Sequence, residues 1–255
     1  MTVNNTIVCI TGASSGIGKA AAKKFAEQGA RVLLCARRID RLHELENDLK
    51  KKFSADVFSA QLDVRNQHDV QTFFANLPAE WKEISLLVNN AGLSRGLNPI
   101  HAGELSDWNE MIDTNIKGLL YVTRAVLPGM IERSEGHIIN IGSTAGFWVY
   151  PKGNVYNATK FAVNALTQGI KMDLLGTPIR VTEIDPGLVE TEFSEVRFHG
   201  DKERAAAVYK GMTPLTADDV ADSILWAATR PAHVNISNII LMPTDQSSPT
   251  LVHRR

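Results

Sequence analysis

Short runs of apolar, often β-branched residues alternate along the chain with longer segments whose apolar positions recur at helical spacing. The short runs predict buried strands, and the longer segments predict amphipathic helices that connect one strand to the next. Strands are predicted near 6–10, 31–36, 57–62, 86–89, 137–141, 180–184 and 238–241. The pattern therefore predicts an α/β fold, a doubly wound sheet of seven parallel strands with helices on both faces.

The first predicted strand runs into a glycine-rich turn, and a segment rich in helix-forming residues follows it. Glycine lets the backbone turn tightly and approach a ligand, while the start of a helix presents unpaired N–H groups to an anion. A plain structural turn is the alternative, but a turn between a strand and a helix is what a dinucleotide fold requires. The residues predicted to bind a cofactor pyrophosphate here are Gly12, Ser14, Ser15, Gly16, Ile17 and Gly18.

The second predicted strand ends in Arg37 and Arg38, about twenty residues beyond the glycine turn. An acidic residue at this point binds the ribose 2′-hydroxyl of NAD, whereas a 2′-phosphate needs cations. The two arginines therefore favour NADP. Asp40 follows closely and leaves a relaxed preference open, and a solvated helix start is the alternative reading of the arginines.

Tyr156 and Lys160 stand four residues apart in a segment of helical character, so their side chains project from one face. A free tyrosine has a pKa of about 10, and a nearby cation favours the phenolate. The spacing predicts that the Lys160 ammonium lowers the pKa of Tyr156 and allows proton exchange with a substrate hydroxyl. Taken alone, such a pair is more often a solvated helix face.

In order and spacing, several further motifs resemble the short-chain dehydrogenase/reductase family over nearly the whole chain. They are the glycine turn, Asn89-Asn90-Ala91-Gly92, Asn115, Ser143, Tyr156-x-x-x-Lys160 and Asp185-Pro186-Gly187. More narrowly, segments 78–81, 111–115, 141–146 and 196–201 resemble the NADP-dependent 3-hydroxy acid dehydrogenases, also called serine or allo-threonine dehydrogenases. The resemblance implies a Rossmann-like fold, an NADP cofactor and hydride transfer at the 3-hydroxyl of a small acid such as serine, allo-threonine, 3-hydroxyisobutyrate or 3-hydroxypropionate.

The resemblance also implies roles for particular residues. Ser143 is expected to hydrogen-bond the substrate oxygen, Tyr156 to move the proton and Lys160 to bind the nicotinamide ribose. Asn115 interrupts an apolar helical stripe that starts at Trp108, and it is either a bonded polar residue in the core or the holder of a proton-relaying water through its backbone carbonyl. The other cofactor contacts implied are Asp63, Val64, Asn90, Ala91, Gly92, Pro186, Gly187, Val189 and Thr191. For Asp63, a helix cap is the alternative.

Substrate specificity is expected to lie in the segment 188–211, which is long enough to close over the site. Arg197 is the candidate partner for a substrate carboxylate, since a guanidinium binds one bidentately, although a surface salt bridge with Glu195 or Asp201 is equally open. Phe193 and Lys152 are further substrate candidates. The alternatives in function are a general carbonyl or 3-oxoacyl reductase of the same family and, from another class, a non-catalytic NADPH-sensing protein.

Composition narrows the picture further. The 255 residues, 44% of them hydrophobic, carry a net charge of −1, which favours one domain over 1–255 and gives no sign of a nucleic-acid or membrane partner. The amino terminus lacks a basic and apolar leader, so a cytoplasmic protein is expected. The two cysteines are expected to be buried thiols, and the seven histidines show no metal-ligand spacing. By analogy, a homotetramer is expected, with the catalytic helix and the tail 242–255 as contacts.

Overall fold

A computed structural model describes residues 3–255 and contains one sheet of seven parallel strands in the spatial order β3-β2-β1-β4-β5-β6-β7. The order reverses between β1 and β4, which creates a crevice at the carboxyl ends of these strands. The predicted fold class is confirmed. The strands are β1 Ile7–Thr11, β2 Arg31–Ala36, β3 Val57–Gln61, β4 Ile84–Asn89, β5 His137–Ile141, β6 Arg180–Pro186 and β7 Asn238–Leu241.

Helices connect successive strands and cover both faces of the sheet. They are α1 Gly16–Glu27, α2 Ile39–Phe53, α3 Gln67–Ala75, α4 Leu105–Ile112, α5 Leu119–Arg133, α6 Asn154–Asp173, α7 Phe193–Arg197, α8 Lys202–Ala207 and α9 Ala217–Ala228. Short 3-10 turns lie at Ala79–Trp81, Ile100–Ala102 and Thr144–Gly146. Among residues 3–255, no helix combines the length and the apolar character that crossing a membrane requires.

Alternate residues of the central strands pack into two separate cores. Val8 and Ile10 of β1 contact one core, formed with α1, α2 and α9, while Ile7 and Cys9 contact the other, formed with α3 and α5. Because both faces are buried, the strands read as continuous apolar runs. Cys9 and Cys35 lie on neighbouring strands as buried free thiols, as expected.

The helical stripe that begins near Trp108 is not one continuous α-helix. A π-helical segment, Asp113–Gly118, separates α4 from α5. The apolar side chains Ile112 and Leu120 of this segment are more than one third exposed. The helical stripe expected from Trp108 onward is therefore interrupted, because an apolar pattern does not reveal a π-helical turn.

Candidate active site

A cavity of about 630 Å³ opens at the carboxyl ends of the strands. All the predicted site residues line it except Gly18, Asn115 and Lys152. The sheet topology explains this convergence, since parallel strands end at the same edge and the predicted motifs follow β1, β2, β3, β4, β5 and β6. One end of the cavity is formed by the glycine turn and the other by the tyrosine helix and the segment 188–211.

The glycine turn packs tightly against the turn after β4. Gly12 adopts φ +66°, and a β-carbon there would lie 2.9 Å from both Ala91 Cα and Asn90 Nδ2. At Gly18, a β-carbon would lie 2.5 Å from Asn90 Nδ2 and 2.6 Å from the Gly12 carbonyl oxygen. Gly18 therefore supports the turn from behind and does not line the cavity, and its direct contact with the cofactor stays a prediction.

Arg38 links the glycine turn to the substrate segment. Its Nη2 donates to Ser14 Oγ (3.0 Å) and Ser15 Oγ (2.8 Å), while its Nη1 donates to Glu192 Oε2 (2.9 Å). Arg41 Nη1 also binds Glu192 Oε1, at 2.6 Å. Burial alone would raise the pKa of Glu192, but the two arginines outweigh it and lower that pKa. Sequence reasoning did not find Glu192.

The next two contacts of the predicted nucleotide site lie at the ends of β3 and β4. Asp63 is ion-paired with Arg65, and that arginine outweighs burial and lowers the Asp63 pKa. Asp63 does not cap the following helix with its side chain, since Asn66 does so by accepting from two backbone N–H groups of α3. Asn90 Nδ2 donates to the Thr11 carbonyl at 2.9 Å, which joins the turns after β1 and β4.

Tyr156, Lys160 and Ser143 meet at the other end of the cavity. Lys160 Nζ lies 5.9 Å from the centre of the Tyr156 ring and donates to the Ile141 carbonyl at 2.8 Å. Ser143 Oγ accepts from the Ala145 N–H at 3.1 Å, and its hydroxyl acts on the Tyr156 phenol so as to lower that group's pKa. The predicted shared face of Tyr156 and Lys160 therefore points into the cavity.

The electrostatics of this group differ from the prediction. Burial raises the pKa of Tyr156, and the influences that oppose burial are the Arg197 charge and the hydrogen bond from Ser143. Burial lowers the pKa of Lys160 to about 8, although Asp185 and Glu183 act in the opposite direction. A pKa depression of Tyr156 by Lys160 is not seen because both groups are desolvated, and desolvation favours the neutral form of each.

Asn115 lies in the π-helical segment, behind the cavity wall. Its Nδ2 donates to the Leu93 carbonyl (2.8 Å) and Thr159 Oγ1 (3.0 Å), and its Oδ1 accepts from the Leu93 N–H (2.9 Å). The side chain is thus a fully bonded polar residue in the core. Segments of π-helix are frequent at functional sites because they redirect backbone carbonyls. The predicted role of its backbone carbonyl stays a prediction.

Arg197 reaches from α7 into the cavity. Its guanidinium lies 5.3 Å from the centre of the Tyr156 ring, its Nε donates to Ser94 Oγ (3.0 Å) and its Nη2 to Tyr150 OH (3.0 Å). Among residues 3–255, no carboxylate lies within ion-pair distance of this guanidinium, so the alternative of a salt bridge with Glu195 or Asp201 was wrong. Phe193 packs edge-on against the Tyr156 ring, with the centroids 5.7 Å apart.

Lys152 and the tail lie at the border of the site. Lys152 is on an exposed turn before α6 and does not line the cavity, and its role as a substrate residue stays a prediction. The tail folds back on the chain instead: Gln246 Oε1 accepts from the Leu188 N–H (2.8 Å), and the Arg255 N–H donates to the Gly211 carbonyl (2.7 Å). The tail residues that line the cavity are Gln246, Pro249, Thr250, Val252 and Arg254.

The residues of the cavity fit a phosphorylated dinucleotide. The arginine pair after β2 supplies cations for a ribose phosphate, and the start of α1 supplies free N–H groups because Ser15 makes no side-chain cap there. Thr114 lies in the cavity wall, and its buried Oγ1 has no hydrogen-bond partner among the described residues. A parallel sheet with this nucleotide cleft next to a tyrosine, a lysine and a serine defines a nucleotide-dependent oxidoreductase.

The chain belongs to the short-chain dehydrogenase family, whose sequence model matches residues 6–202. An NADP-dependent 3-hydroxy acid dehydrogenase of Salmonella typhi is 52% identical over 97% of this chain and 99% of its own length. Sulfoacetaldehyde reductase 2 of Chromohalobacter salexigens is 48% identical over 94% of this chain and 95% of its own length. The closed form of serine dehydrogenase complexed with NADP⁺ matches with a TM-score of 0.92 at 50% identity, covering 98% of this chain and 100% of that chain.

Proposed function

We propose that the protein is an NADP-dependent dehydrogenase that oxidises the 3-hydroxyl group of small hydroxy acids, or reduces the corresponding oxo acids. The observation that carries this proposal is the Arg197 guanidinium, which faces Tyr156 inside the cavity without an acidic partner among the described residues. A buried or half-buried cation is costly unless it is paired, so an anionic group on the substrate is its natural partner.

NADP, when bound, supplies the acceptor or donor of hydride. Arg37 and Arg38 are placed to hold its 2′-phosphate, and the glycine turn to hold its pyrophosphate. Lys160, with one N–H already donated to the Ile141 carbonyl, has further donors free for the hydroxyl groups of a ribose. The relatives whose names include NADP support this choice of cofactor.

Proton transfer is assigned to Tyr156 and orientation of the substrate oxygen to Ser143. In the oxidation direction, Tyr156 accepts the proton of the substrate hydroxyl, and in reduction it returns that proton to the oxo group. The side chains of Ser143 and Tyr156 both line the cavity, so a substrate oxygen seated between them can receive a hydrogen bond from each as charge develops on it. Phe193 and Tyr150 close the pocket around the substrate carbon atoms.

The relatives allow two kinds of acid group. A guanidinium binds a carboxylate, as in a 3-hydroxy acid, or a sulfonate, as the name of the sulfoacetaldehyde reductase suggests for that protein. The carboxylate is favoured here by the 3-hydroxy acid dehydrogenase relative that is 52% identical to this chain. A reductase of acyl thioesters is the alternative within the family, and the tail that folds over the cavity argues against its bulky substrate.

The proposal is tested by following NADPH formation with serine, allo-threonine, 3-hydroxyisobutyrate and 3-hydroxypropionate. Neutral secondary alcohols, a hydroxysulfonate and reduction of an acyl thioester are run beside them. Tyr156→Phe should abolish turnover and leave NADPH binding nearly intact, because only the proton-carrying hydroxyl is removed. Equal rates with acids and neutral alcohols would move the assignment to a general carbonyl reductase.

We also propose self-association as a homotetramer. Phe161 and Met172 on the outer face of α6 are 42% and 73% exposed, and Ile131 on α5 is 47% exposed. Large exposed apolar side chains on α5 and α6 support an interface between copies of the chain. Light scattering after size-exclusion chromatography should give four times the mass of one 28.0 kDa chain.

A further inference from the structure

Two buried acids stand behind the serine and the lysine of the site. Glu183 and Asp185 are two residues apart on β6, so both side chains project from the same face of the strand. Glu183 is 2% exposed and Asp185 is fully buried. Neither lines the cavity, and the roles assigned above do not use either of them.

The contacts of the pair leave one oxygen without a donor. Asp185 Oδ1 accepts from the Ser143 N–H at 2.8 Å, and its Oδ2 accepts from Asn238 Nδ2. Glu183 Oε2 accepts from Asn164 Nδ2 at 3.2 Å. Glu183 Oε1 is buried and has no hydrogen-bond donor among the described residues.

The two carboxyl groups face each other across Gly142. A β-carbon at Gly142 would lie 2.5 Å from Glu183 Oε1 and would overlap with Asp185 Oδ1, so only glycine leaves room for both oxygens. Two ionised carboxylates this close repel each other strongly in a buried place. One proton held between them gives Glu183 Oε1 a hydrogen bond with Asp185 and leaves a single negative charge on the pair.

The charged and titratable groups around the pair are few. From α6, Lys160 and Tyr156 lie close enough to interact with Asp185, and Lys160 also interacts with Glu183. The neighbours from α6 and β7 that contact the acids directly are neutral: the amides Asn164 and Asn238 and the Thr167 hydroxyl. Lys160 is therefore the cation that balances the negative charge of the acid pair.

We propose that Glu183 and Asp185 act as a positioning pair, which holds one proton between them, presents one negative charge to Lys160 and keeps that ammonium charged at the buried site. The inference rests on the role of Lys160 proposed above. Asp185 also fixes the backbone of Ser143 through its N–H, so the same pair sets the position of the serine hydroxyl.

Protonation behaviour supports the shared proton. Burial raises the pKa of both acids, and the charge of Asp185 raises the pKa of Glu183 further, so the proton resides chiefly on Glu183. Burial lowers the pKa of Lys160, and the two acids are the groups that act against burial. Without the acid pair, the pKa of Lys160 would fall further and a larger fraction of its side chain would be neutral.

The test measures the proton affinity of Lys160 directly. The enzyme is labelled briefly with acetic anhydride at a series of pH values, and mass spectrometry gives the labelled fraction of the Lys160 peptide. Lys171, exposed on the same helix, is the internal reference for reagent delivery. The variants are Glu183→Gln, Asp185→Asn and the double variant, all close in shape to the original side chains.

A shared proton predicts a non-additive result. Each single variant keeps one acid that can ionise, so the pair still carries one charge and the midpoint of Lys160 labelling should stay near that of the wild type, about 8. The double variant carries no charge, and its Lys160 should bind protons at least ~10-fold more weakly. The proposal is overturned if the labelling midpoint of the double variant is unchanged. It is also overturned if the two single variants shift the midpoint equally and their shifts add up to that of the double variant.

Two further measurements keep the test decisive. If the double variant does not fold, Lys160→Met is compared with a triple variant that combines it with Glu183→Gln and Asp185→Asn. Lys160→Met leaves the negative charge of the acid pair buried without a cation, whereas the triple variant has no such charge. The triple variant should therefore be the more stable in denaturant. A triple variant no more stable than Lys160→Met overturns the proposal. The labelling experiment needs no substrate. Its outcome can therefore be interpreted even if the protein oxidises none of the hydroxy acids tested.

Discussion

Replacing Arg197 by methionine tests the proposed substrate class most directly. Methionine retains much of the apolar stem, so the contacts with the Phe193 and Tyr156 rings are partly kept, while the charge and the fork of N–H donors are lost. The position faces both the substrate space and the catalytic tyrosine. We therefore expect a large loss with acidic substrates and a smaller change with neutral ones.

The magnitude follows from the contacts that the guanidinium makes. Hydrogen bonds to a charged group contribute about 1.5–3 kcal/mol, which corresponds to roughly a 10- to 150-fold change in affinity. Arg197 already uses one N–H on Ser94 and one on Tyr150, so it is held in place when a substrate arrives and loses little side-chain entropy on binding. The expected rise in KM for a hydroxy acid is therefore about 10- to 150-fold.

The assay compares kcat and KM for 3-hydroxypropionate and for its methyl ester in the wild type and in Arg197→Met. The matched control is Arg204→Met, because Arg204 lies in the same substrate segment, stacks on Phe198 at 4.4 Å and does not line the cavity. The substitution also removes the hydrogen bond between Arg197 and the buried Ser94 hydroxyl. Unfolding in denaturant measures the resulting loss of stability separately from the loss of substrate binding.

Equal changes in KM for the acid and the ester would refute the reasoning, since only the acid carries the charge that Arg197 is proposed to bind. A large effect of Arg204→Met would refute it as well, because the effect would then belong to the fold of the segment. Arg197→Lys should recover part of the affinity, since it retains the charge but not the bidentate geometry.

Three further predictions concern the cofactor end and the fold. Glu192→Gln should tighten NADPH binding up to about fivefold and leave NADH unchanged, measured by fluorescence titration, because an exposed carboxylate no longer competes with phosphate for Arg38. Gly18→Ala should lower the free energy of unfolding by about 1–3 kcal/mol, whereas Gly169→Ala, with open space around it, should not. Burial, followed by the Arg180 charge, lowers the pKa of His137 to about 3 in the native state, whereas the unfolded chain binds a proton at this histidine below about pH 6.5. The free energy of unfolding should therefore fall by about 2 kcal/mol from pH 6.5 to pH 5, and by less in His137→Asn.

The strands were predictable because both faces of the sheet are buried. A strand such as β2 is apolar at every position after Arg31 and is followed by two arginines, so its end at Ala36 is visible in the sequence. Much of the site followed from the strands, since the glycine turn, the arginine pair and the motifs at 89–92, 143 and 185–187 lie at strand ends. Amino-acid sequence also revealed the arginine pair after β2, because a charge pattern at a fixed distance from a glycine turn has a chemical meaning.

What could not be predicted depends on contacts between distant segments. Glu192 binds Arg38 across more than 150 residues of chain, and nothing local marks either as the partner of the other. Asp185 belongs to a motif visible in the sequence, but its pairing with Glu183 is not visible until Gly142 is seen to leave space for both side chains. The π-helical segment could not be predicted because the apolar spacing on either side of it still satisfies a helical period.

The position of Arg197 links substrate charge to proton transfer. Its charge lowers the pKa of Tyr156 against the larger effect of burial. A substrate carboxylate bound to Arg197 cancels much of that charge, so the pKa of Tyr156 rises when an acid binds and rises less when a neutral ester binds. Oxidation needs the phenolate, and its rising limb in a pH profile should therefore lie at higher pH for the hydroxy acid than for the ester. In Arg197→Met the two profiles should coincide, because the group through which the carboxylate acts is no longer there.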